Sequence, residues 1–213
     1  MWDLIARGGW LMVPIGACSF FSLAIMLERM FFYFFSTSNR SVTSSIMPKI
    51  LEAVKKNRIT EAINICKAKP FHVTNIVKAG LFRCDAPKEI IKEAMEDASL
   101  YEIPKLEKNL NFLGTIAHIS PLLGLLGTVV GLVKCFYVIE QKAASVGLVN
   151  PSDLAGGIWE ALLTTVVGLC VAIPTYIAYN YFVHRVNMAV LDTERGATEL
   201  LEALSQRRYS GEV

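Results

Sequence analysis

The chain has 213 residues, of which 53% are hydrophobic and 19% are charged, with a formal net charge of +2 and a mean hydropathy of +0.42. This composition excludes an ordinary soluble domain, and the small positive charge gives no reason to expect a nucleic-acid partner. No charged residue occurs in Trp10–Leu27, Asn109–Val133 or Ala161–Val183. Each run approaches or exceeds the roughly 20 residues that an α-helix needs to cross a bilayer. The sequence therefore predicts an all-α integral membrane protein with three transmembrane helices.

The first span is predicted at 10–35, after a short outer interfacial segment at 1–9. It does not resemble a cleaved signal peptide, because no basic segment precedes it and five aromatic residues at 31–35 stand where small residues would be needed. Aromatic rings instead favour the membrane interface. A stretch rich in Ser, Thr and Asn at 36–45 then predicts a loop.

Residues 36–108 are predicted to form a small helical domain, because apolar residues recur at helical spacing and no alternating strand pattern is present. Three short helices are expected, beginning near Ile46, Ile59 and Val73, and a longer one is expected to begin at Ala86–Pro87. The apolar face of the longer helix should carry Ile90, Ile91, Ala94, Met95, Ala98 and Tyr101. This helix should kink or restart at Pro104. Leu106 and Leu110 continue the pattern, which predicts that this helix runs directly into the second span.

The second span is predicted at 109–140, a periplasmic connection at 141–153 and the third span at 154–183, followed by a cytoplasmic helix and tail at 184–213. Of the 21 basic residues, 13 lie in Ser36–Leu110, whereas the connection Gln141–Pro151 holds only Lys142. Basic residues stay on the cytoplasmic side. The N-terminus and the connection should therefore be periplasmic, and the middle segment and C-terminus cytoplasmic.

A heptad-like seam follows the third span and predicts that its helix continues as a long rod. Its members are Val186, Val190, Thr193, Ala197, Leu200 and Leu204. Such a seam packs either on the protein's own helices or on a neighbouring copy, and the spacing does not decide between them.

Small residues form a stripe along one face of each of the last two spans. In the second span they are Gly114, Ala117, Pro121, Gly124, Thr128 and Gly131, and in the third Gly157, Ala161, Thr165, Gly168, Ala172 and Thr175. Such stripes let helices approach closely in lipid. Two matched stripes also suit a smooth surface presented to another molecule, so packing and pore lining are both open.

Two threonines within these stripes lie at similar depth. Thr128 is 13 residues before Gln141, roughly 20 Å into the membrane, and Thr165 is 11 residues after Leu154, roughly 16 Å in. They are candidates for a polar pathway. The alternative is that each hydroxyl bonds to a carbonyl of its own helix.

Two ionisable residues lie inside the spans, where a charge costs about 2.5–3.5 kcal/mol on insertion scales. Glu160 is about two turns inside the outer end of the third span, and Lys134 is at matching depth in the second. Glu160 is predicted to have a functional or ion-paired role, and it is a candidate for the proton pathway together with Thr128 and Thr165. Lys134 either pairs with it or extends to the outer interface.

No residue pattern indicates an enzyme, a metal site or a cofactor. The five cysteines are widely separated and lack metal-binding spacing. His118 is a lone histidine in a membrane helix, and Glu28–Arg29 is expected to mark the inner end of the first span. We therefore expect neither catalysis nor a bound cofactor.

The segments Ser120–Gly131 and Ile158–Leu169, the latter continuing to Pro174, resemble the ExbB/TolQ family, which is related to the four-span flagellar stator protein MotA. The resemblance covers essentially the whole three-span chain. It implies a pentameric ring in the bacterial inner membrane, with its pore lined by the second and third helices, and adds Pro174 to the pore-face residues. Lys134 departs from the family pattern.

The resemblance also implies partners. Two copies of a single-span protein of the ExbD or TolR type would occupy the pore, with a membrane aspartate facing Thr128 and Thr165, and Glu160 matches the family glutamate. Proton flow would drive work on a TonB- or TolA-type protein that spans the periplasm. A passive channel or scaffold that needs no partner is the alternative. The resemblance does not specify which process the motor would drive: nutrient import, envelope maintenance or gliding.

Overall fold

The computed structural model describes residues 9–37, 40–145 and 151–211, which are almost entirely helical. No β-strand occurs in these three ranges, so the predicted all-α fold is confirmed. The helices in chain order are α1 (Met12–Thr37), α2 (Arg40–Lys55), α3 (Ile59–Ala68), α4 (His72–Leu81), α5 (Lys88–Glu107), α6 (Leu110–Ser145) and α7 (Pro151–Gly211).

Three helices are long and apolar enough to cross a membrane, through Met12–Tyr33 in α1, Leu110–Lys142 in α6 and Leu154–Arg207 in α7. Their outward side chains are apolar and exposed, which is stable in lipid rather than in water. The predicted three-span membrane architecture is therefore confirmed. Residues 1–8 of the predicted outer segment and 146–150 of the predicted connection lie outside the described residues.

The break after the first span is shorter than the sequence predicts. A loop is expected at 36–45, yet α1 continues to Thr37 and α2 begins at Arg40. A Ser or Thr in a helix costs only about 0.5 kcal/mol relative to Ala. Burial of Ile46 and Ile50 further along α2 outweighs that small cost.

Helices α5 and α6 are separate, contrary to the predicted continuous helix. Asn109 adopts φ 62°, in the left-handed region that Asn tolerates better than most residues. Its side-chain amide donates a 2.9 Å hydrogen bond to Glu28 Oε2. Pro104 lies inside α5, close to its end, and does not terminate it. A single asparagine therefore ends the helical path that the apolar pattern would have continued.

The structure divides into two compact units. The span unit comprises the chain up to Met30 together with Asn109–Tyr181, and the short-helix unit comprises Phe31–Lys108 together with the chain from Phe182 onward. In the short-helix unit, side chains from α2, α3, α4, α5 and the end of α7 form one apolar core. Its fully buried members include Ile50, Val54, Val77 and Leu200.

The heptad-like seam packs on this core. Leu200 and Leu204 are buried in it, and Ala197 packs against it. At these three residues the seam contacts the protein's own helices, which is the first of the two predicted packings. On α5 the predicted face is confirmed at Ile91 and Met95, which are buried, and is wrong at Ile90 and Tyr101, which are exposed. Adjacent residues point about 100° apart on a helix, and α5 turns the direction of Ile91 and Met95 towards the core.

Glu102 connects α5 to α4 through hydrogen bonds. Its carboxylate accepts hydrogen bonds from His72 Nδ1 at 3.2 Å and Asn75 Nδ2 at 3.3 Å, both on α4, and from Lys105 Nζ at 2.8 Å. The Glu102 side chain is only 13% exposed. Burial by itself raises the pKa of Glu102, but the hydrogen bonds from Lys105 and His72 outweigh it, so the pKa lies below its ordinary value of 4.5.

Replacing Glu102 by Gln should lower the thermal stability of the protein near neutral pH. Since the folded-state pKa is lowered, the stabilisation by ionised Glu102 is present above pH 4.5 and is lost as the pH falls through the folded value. The variant should consequently lose less stability than wild type on acidification. Thermal unfolding at neutral and acidic pH measures this, with the exposed Glu96→Gln as control. Equal acid sensitivity of E102Q and wild type would contradict the prediction.

Candidate functional site

Helices α6 and α7 run antiparallel, and their backbones approach closely. A Cβ added at Gly168 would lie 2.8 Å from the backbone oxygen of Ser120, and one added at Gly131 would lie 2.9 Å from the backbone oxygen of Gly157. Side chains essentially never adopt such separations, so these positions require glycine. Small residues permit this close approach of helices in a membrane.

The glycines of the two stripes lie against the opposite helix, which shows the helix packing that was one of the two predicted interpretations. Thr128 and Thr165, which belong to the same stripes, are only half-buried, and pore lining stays a prediction. The predicted pore-face residues that are buried are Gly114, Ala117, Gly124, Gly131, Ala161, Gly168 and Ala172. Of the other two, Pro121 is half-buried and Pro174 is exposed.

Thr164 and Gly127 also belong to this interface, although the sequence analysis did not single them out. Thr164 is buried and donates a 2.7 Å hydrogen bond to the backbone oxygen of Ala161. A Cβ added at Gly127 would lie 2.1 Å from Thr164 Oγ1. The signal that could have identified Gly127 is its spacing of three and four residues from Gly124 and Gly131.

The hydroxyl groups of Thr128 and Thr165 bond differently. Thr128 Oγ1 donates a 2.6 Å hydrogen bond to the backbone oxygen of Leu125 in its own helix. Thr165 Oγ1 donates across the helix pair to the backbone oxygen of Gly124, at 2.9 Å. The bond within the helix, anticipated as an alternative, therefore describes Thr128 but not Thr165. Both threonine side chains are half-buried.

Lys134 and Glu160 form the ion pair that was one of the two predicted alternatives. Lys134 Nζ donates a 2.6 Å hydrogen bond to Glu160 Oε1. Their side chains are 47% and 22% exposed. Gly9 approaches the same carboxylate, since a Cβ added there would lie 2.0 Å from Glu160 Oε1. The carboxylate therefore lies between α6 and the chain that precedes α1.

Glu160 does not share a side of the helix pair with the two threonines. Thr165 and Glu160 are five residues apart, roughly 140° around α7, and Thr128 and Lys134 are six residues apart, roughly 120° around α6. The side that carries Thr128 and Thr165 is called the threonine side below, and the side that carries Lys134 and Glu160 is called the ion-pair side. The pathway set predicted from sequence is therefore divided between two sides.

Helix α1 packs on the ion-pair side. Its Phe21 makes an edge-to-face contact with Phe112 of α6, with ring centroids 6.3 Å apart. Phe112 and Lys134 are 22 residues apart, so they lie roughly 40° apart around the helix. The threonine side is the one away from α1.

A histidine and a tyrosine meet on the threonine side. The rings of His118 on α6 and Tyr176 on α7 are 5.8 Å apart and steeply inclined. Tyr176 lies 11 residues beyond Thr165, roughly 20° around the helix and 16 Å along it. The threonine side therefore carries polar groups at two depths.

The chain resembles known proteins over its whole length. A model of the MotA/TolQ/ExbB proton channel family matches residues 69–195. A putative biopolymer transport protein ExbB homolog from Methanothermobacter thermautotrophicus is 26% identical over 98% of this chain and 70% of its own length. The putative biopolymer transport protein ExbB-like 3 of Synechocystis is 29% identical over 91% of each chain. The Tol-Pal system protein TolQ of Haemophilus influenzae is 43% identical over 59% of this chain and 54% of its own.

Proposed function

Because the chain belongs to the MotA/TolQ/ExbB proton channel family, we propose that it is the pore-forming stator subunit of a motor driven by the proton-motive force. The observation that carries this proposal is the pair of mid-span hydroxyl groups, Thr128 and Thr165, on the side of the α6–α7 pair away from α1. A proton pathway needs polar groups at this depth, and the close packing of α6 on α7 holds them in place.

The hydrogen bonds of these hydroxyl groups select what can bind there. Thr128 donates its hydrogen to Leu125 and Thr165 donates its hydrogen to Gly124. A hydroxyl has one hydrogen and two acceptor lone pairs. Each oxygen is thus left as an acceptor, which suits a protonated carboxylic acid and disfavours an ionised carboxylate. The threonine side would stabilise the neutral, proton-carrying form of an acid on a partner.

That acid comes from a second protein. No Asp or Glu occurs in 110–133 or in 161–183, which form the central parts of the two spans. We propose a single-span partner of the ExbD or TolR type, with a membrane aspartate, inside a ring of five copies of this chain. Protonation and release of the aspartate would move the partner within the ring and deliver work to a TonB- or TolA-type protein.

The proposed orientation follows from the basic residues. The short-helix unit contains most of the chain's lysines and arginines, and positive charge is retained on the cytoplasmic side. The short-helix unit and the C-terminus would then be cytoplasmic, and the N-terminus and the α6–α7 connection periplasmic. The protein would reside in the inner membrane.

Two measurements test the proposed function together. Native mass spectrometry of the detergent-solubilised protein should give five copies of this chain, and co-expression with a candidate single-span partner that carries a membrane aspartate should add two copies of that partner. In proteoliposomes with an imposed pH gradient, this chain alone should pass few protons, and the complex should pass more.

The outcomes separate the proposal from its alternative. Conductance by this chain alone, unchanged by the partner, would indicate a passive channel. A monomer or dimer that does not bind the partner would overturn the stator proposal, and the stripes would then serve only to pack α6 against α7.

A further inference from the structure

The ion pair between Lys134 and Glu160 has no place in the proposed proton pathway. Its two charges are 2.6 Å apart, and they lie on the opposite side of the α6–α7 pair from Thr128 and Thr165. Charges within a membrane span are costly unless they are paired. A charge pair kept at this depth therefore requires a role of its own.

The surroundings of Glu160 restrict its carboxylate from two directions. Lys134 Nζ contacts Oε1 from α6, and the backbone of Gly9 lies against the same oxygen. Gly9 has φ 69°, a left-handed conformation that other residues adopt only with strain, and a Cβ at this position would overlap the carboxylate. The chain entering α1 is therefore shaped to pass over the pair.

We propose that Lys134 is a positioning residue that holds Glu160 as a permanently paired carboxylate, which joins α6, α7 and the start of α1 at the connection end of the spans. This inference rests on the proposed function in one respect: it confines proton transfer to the threonine side and assigns Glu160 no proton to carry. A paired carboxylate also offers no free site for a cation on the ion-pair side.

A double-mutant cycle distinguishes an anchoring pair from a proton carrier. Removing one partner leaves an uncompensated charge in the membrane, which is more damaging than removing both. Lys134→Gln and Glu160→Gln should each lower the thermal midpoint of the solubilised complex, and K134Q/E160Q should recover most of that loss. Lys134→Arg keeps the charge and should behave like wild type. Glu140→Gln, an exposed acidic position on α6, is the matched control.

Proton flux through the complex with its partner gives the second measurement. If Glu160 anchors, flux in K134Q/E160Q should return close to the wild-type value, although E160Q alone lowers it several-fold. If Glu160 carries protons, the double variant will be as inactive as E160Q, and the proposal is overturned. Thermal midpoints that are additive across the cycle would overturn it as well.

The cycle is independent of the proposed function. Should the wild-type complex pass no protons, the stator proposal fails, yet the thermal midpoints still report whether Lys134 and Glu160 are coupled. Coupled midpoints would then support the anchoring pair, and additive ones would reject it.

Discussion

Replacing Thr165 by Val is expected to lower proton flux through the assembled complex by about tenfold or more, equivalent to about 1.4 kcal/mol in the barrier. Valine keeps the volume of the side chain but removes the oxygen that would accept a hydrogen bond from the partner's protonated acid. The ring should still assemble. The lost hydrogen bond to Gly124 contributes only about 1 kcal/mol to stability. Flux in proteoliposomes, with copy number checked by native mass spectrometry, measures the result.

Thr175→Val is the matched control for this experiment. Thr175 lies on the same helix, and its hydroxyl donates to the backbone oxygen of Val171 in the preceding turn, away from the proposed pathway. Flux in this variant should stay close to that of wild type. Normal flux in Thr165→Val would refute the role of Thr165, whereas equal losses in both variants would show that the effect is structural.

Replacing Gly168 by Ala is expected to destabilise the α6–α7 pair by about 1–3 kcal/mol, the usual cost of overpacking a well-packed interior. The added methyl group would lie 2.8 Å from the backbone oxygen of Ser120 and 3.1 Å from the Cα of Gly124. Backbone atoms cannot rotate out of the way, so the helices must separate. The thermal midpoint and the yield of folded protein should both fall.

Gly156→Ala provides the comparison within the same helix. Within the described part of the chain, and apart from the surrounding turn of α7 itself, no atom lies within 4 Å of a Cβ added at Gly156. Alanine is also favoured over glycine in a helix by about 1 kcal/mol. This variant should be as stable as wild type or more so. If Gly168→Ala and Gly156→Ala behaved alike, close packing at Gly168 would not be what holds the two helices together.

The threonines lie on one side of the α6–α7 pair and the charges lie on the other. This separation suits the proposed proton transfer, in which the proton must not bind tightly along its path. Neutral acceptor oxygens at Thr128 and Thr165 stabilise a protonated acid only weakly, so that the acid can leave again. A lone carboxylate at Glu160 would hold a proton or cation more firmly. In our proposal, the contacts of the Glu160 carboxylate with Lys134 and Gly9 would remove that competing site.

Much of the candidate site could be anticipated from residue types and counting. The matching depths of Thr128 and Thr165, and of Lys134 and Glu160, follow from the rise of a helix and the bounds of the spans. Depth, however, says nothing about direction around the helix axis. The sequence therefore predicts Glu160 together with the threonines, although α7 places Glu160 on another side.

For the small-residue stripes as well, the sequence predicts one feature and leaves another undetermined. Glycines at every third or fourth position, such as Gly124 and Gly131, mark a face that something approaches closely, and the spacing alone does not say what. The structure places Gly168 and Ala161 of α7 against that face. Likewise, the seam at Leu200 and Leu204 was predicted as an apolar line, but only the fold supplied its partner, the core of the short-helix unit.

The sequence by itself determined the number and position of the spans, the helical content and the family motifs, because hydropathy and residue spacing are local properties that each segment expresses alone. Only the tertiary structure decided which side of the α6–α7 pair carries the hydroxyl groups, that Lys134 pairs with Glu160, and that Asn109 separates α5 from α6. These features depend on which helix faces which, and a helix whose surface is apolar all round offers several equally apolar sides for packing.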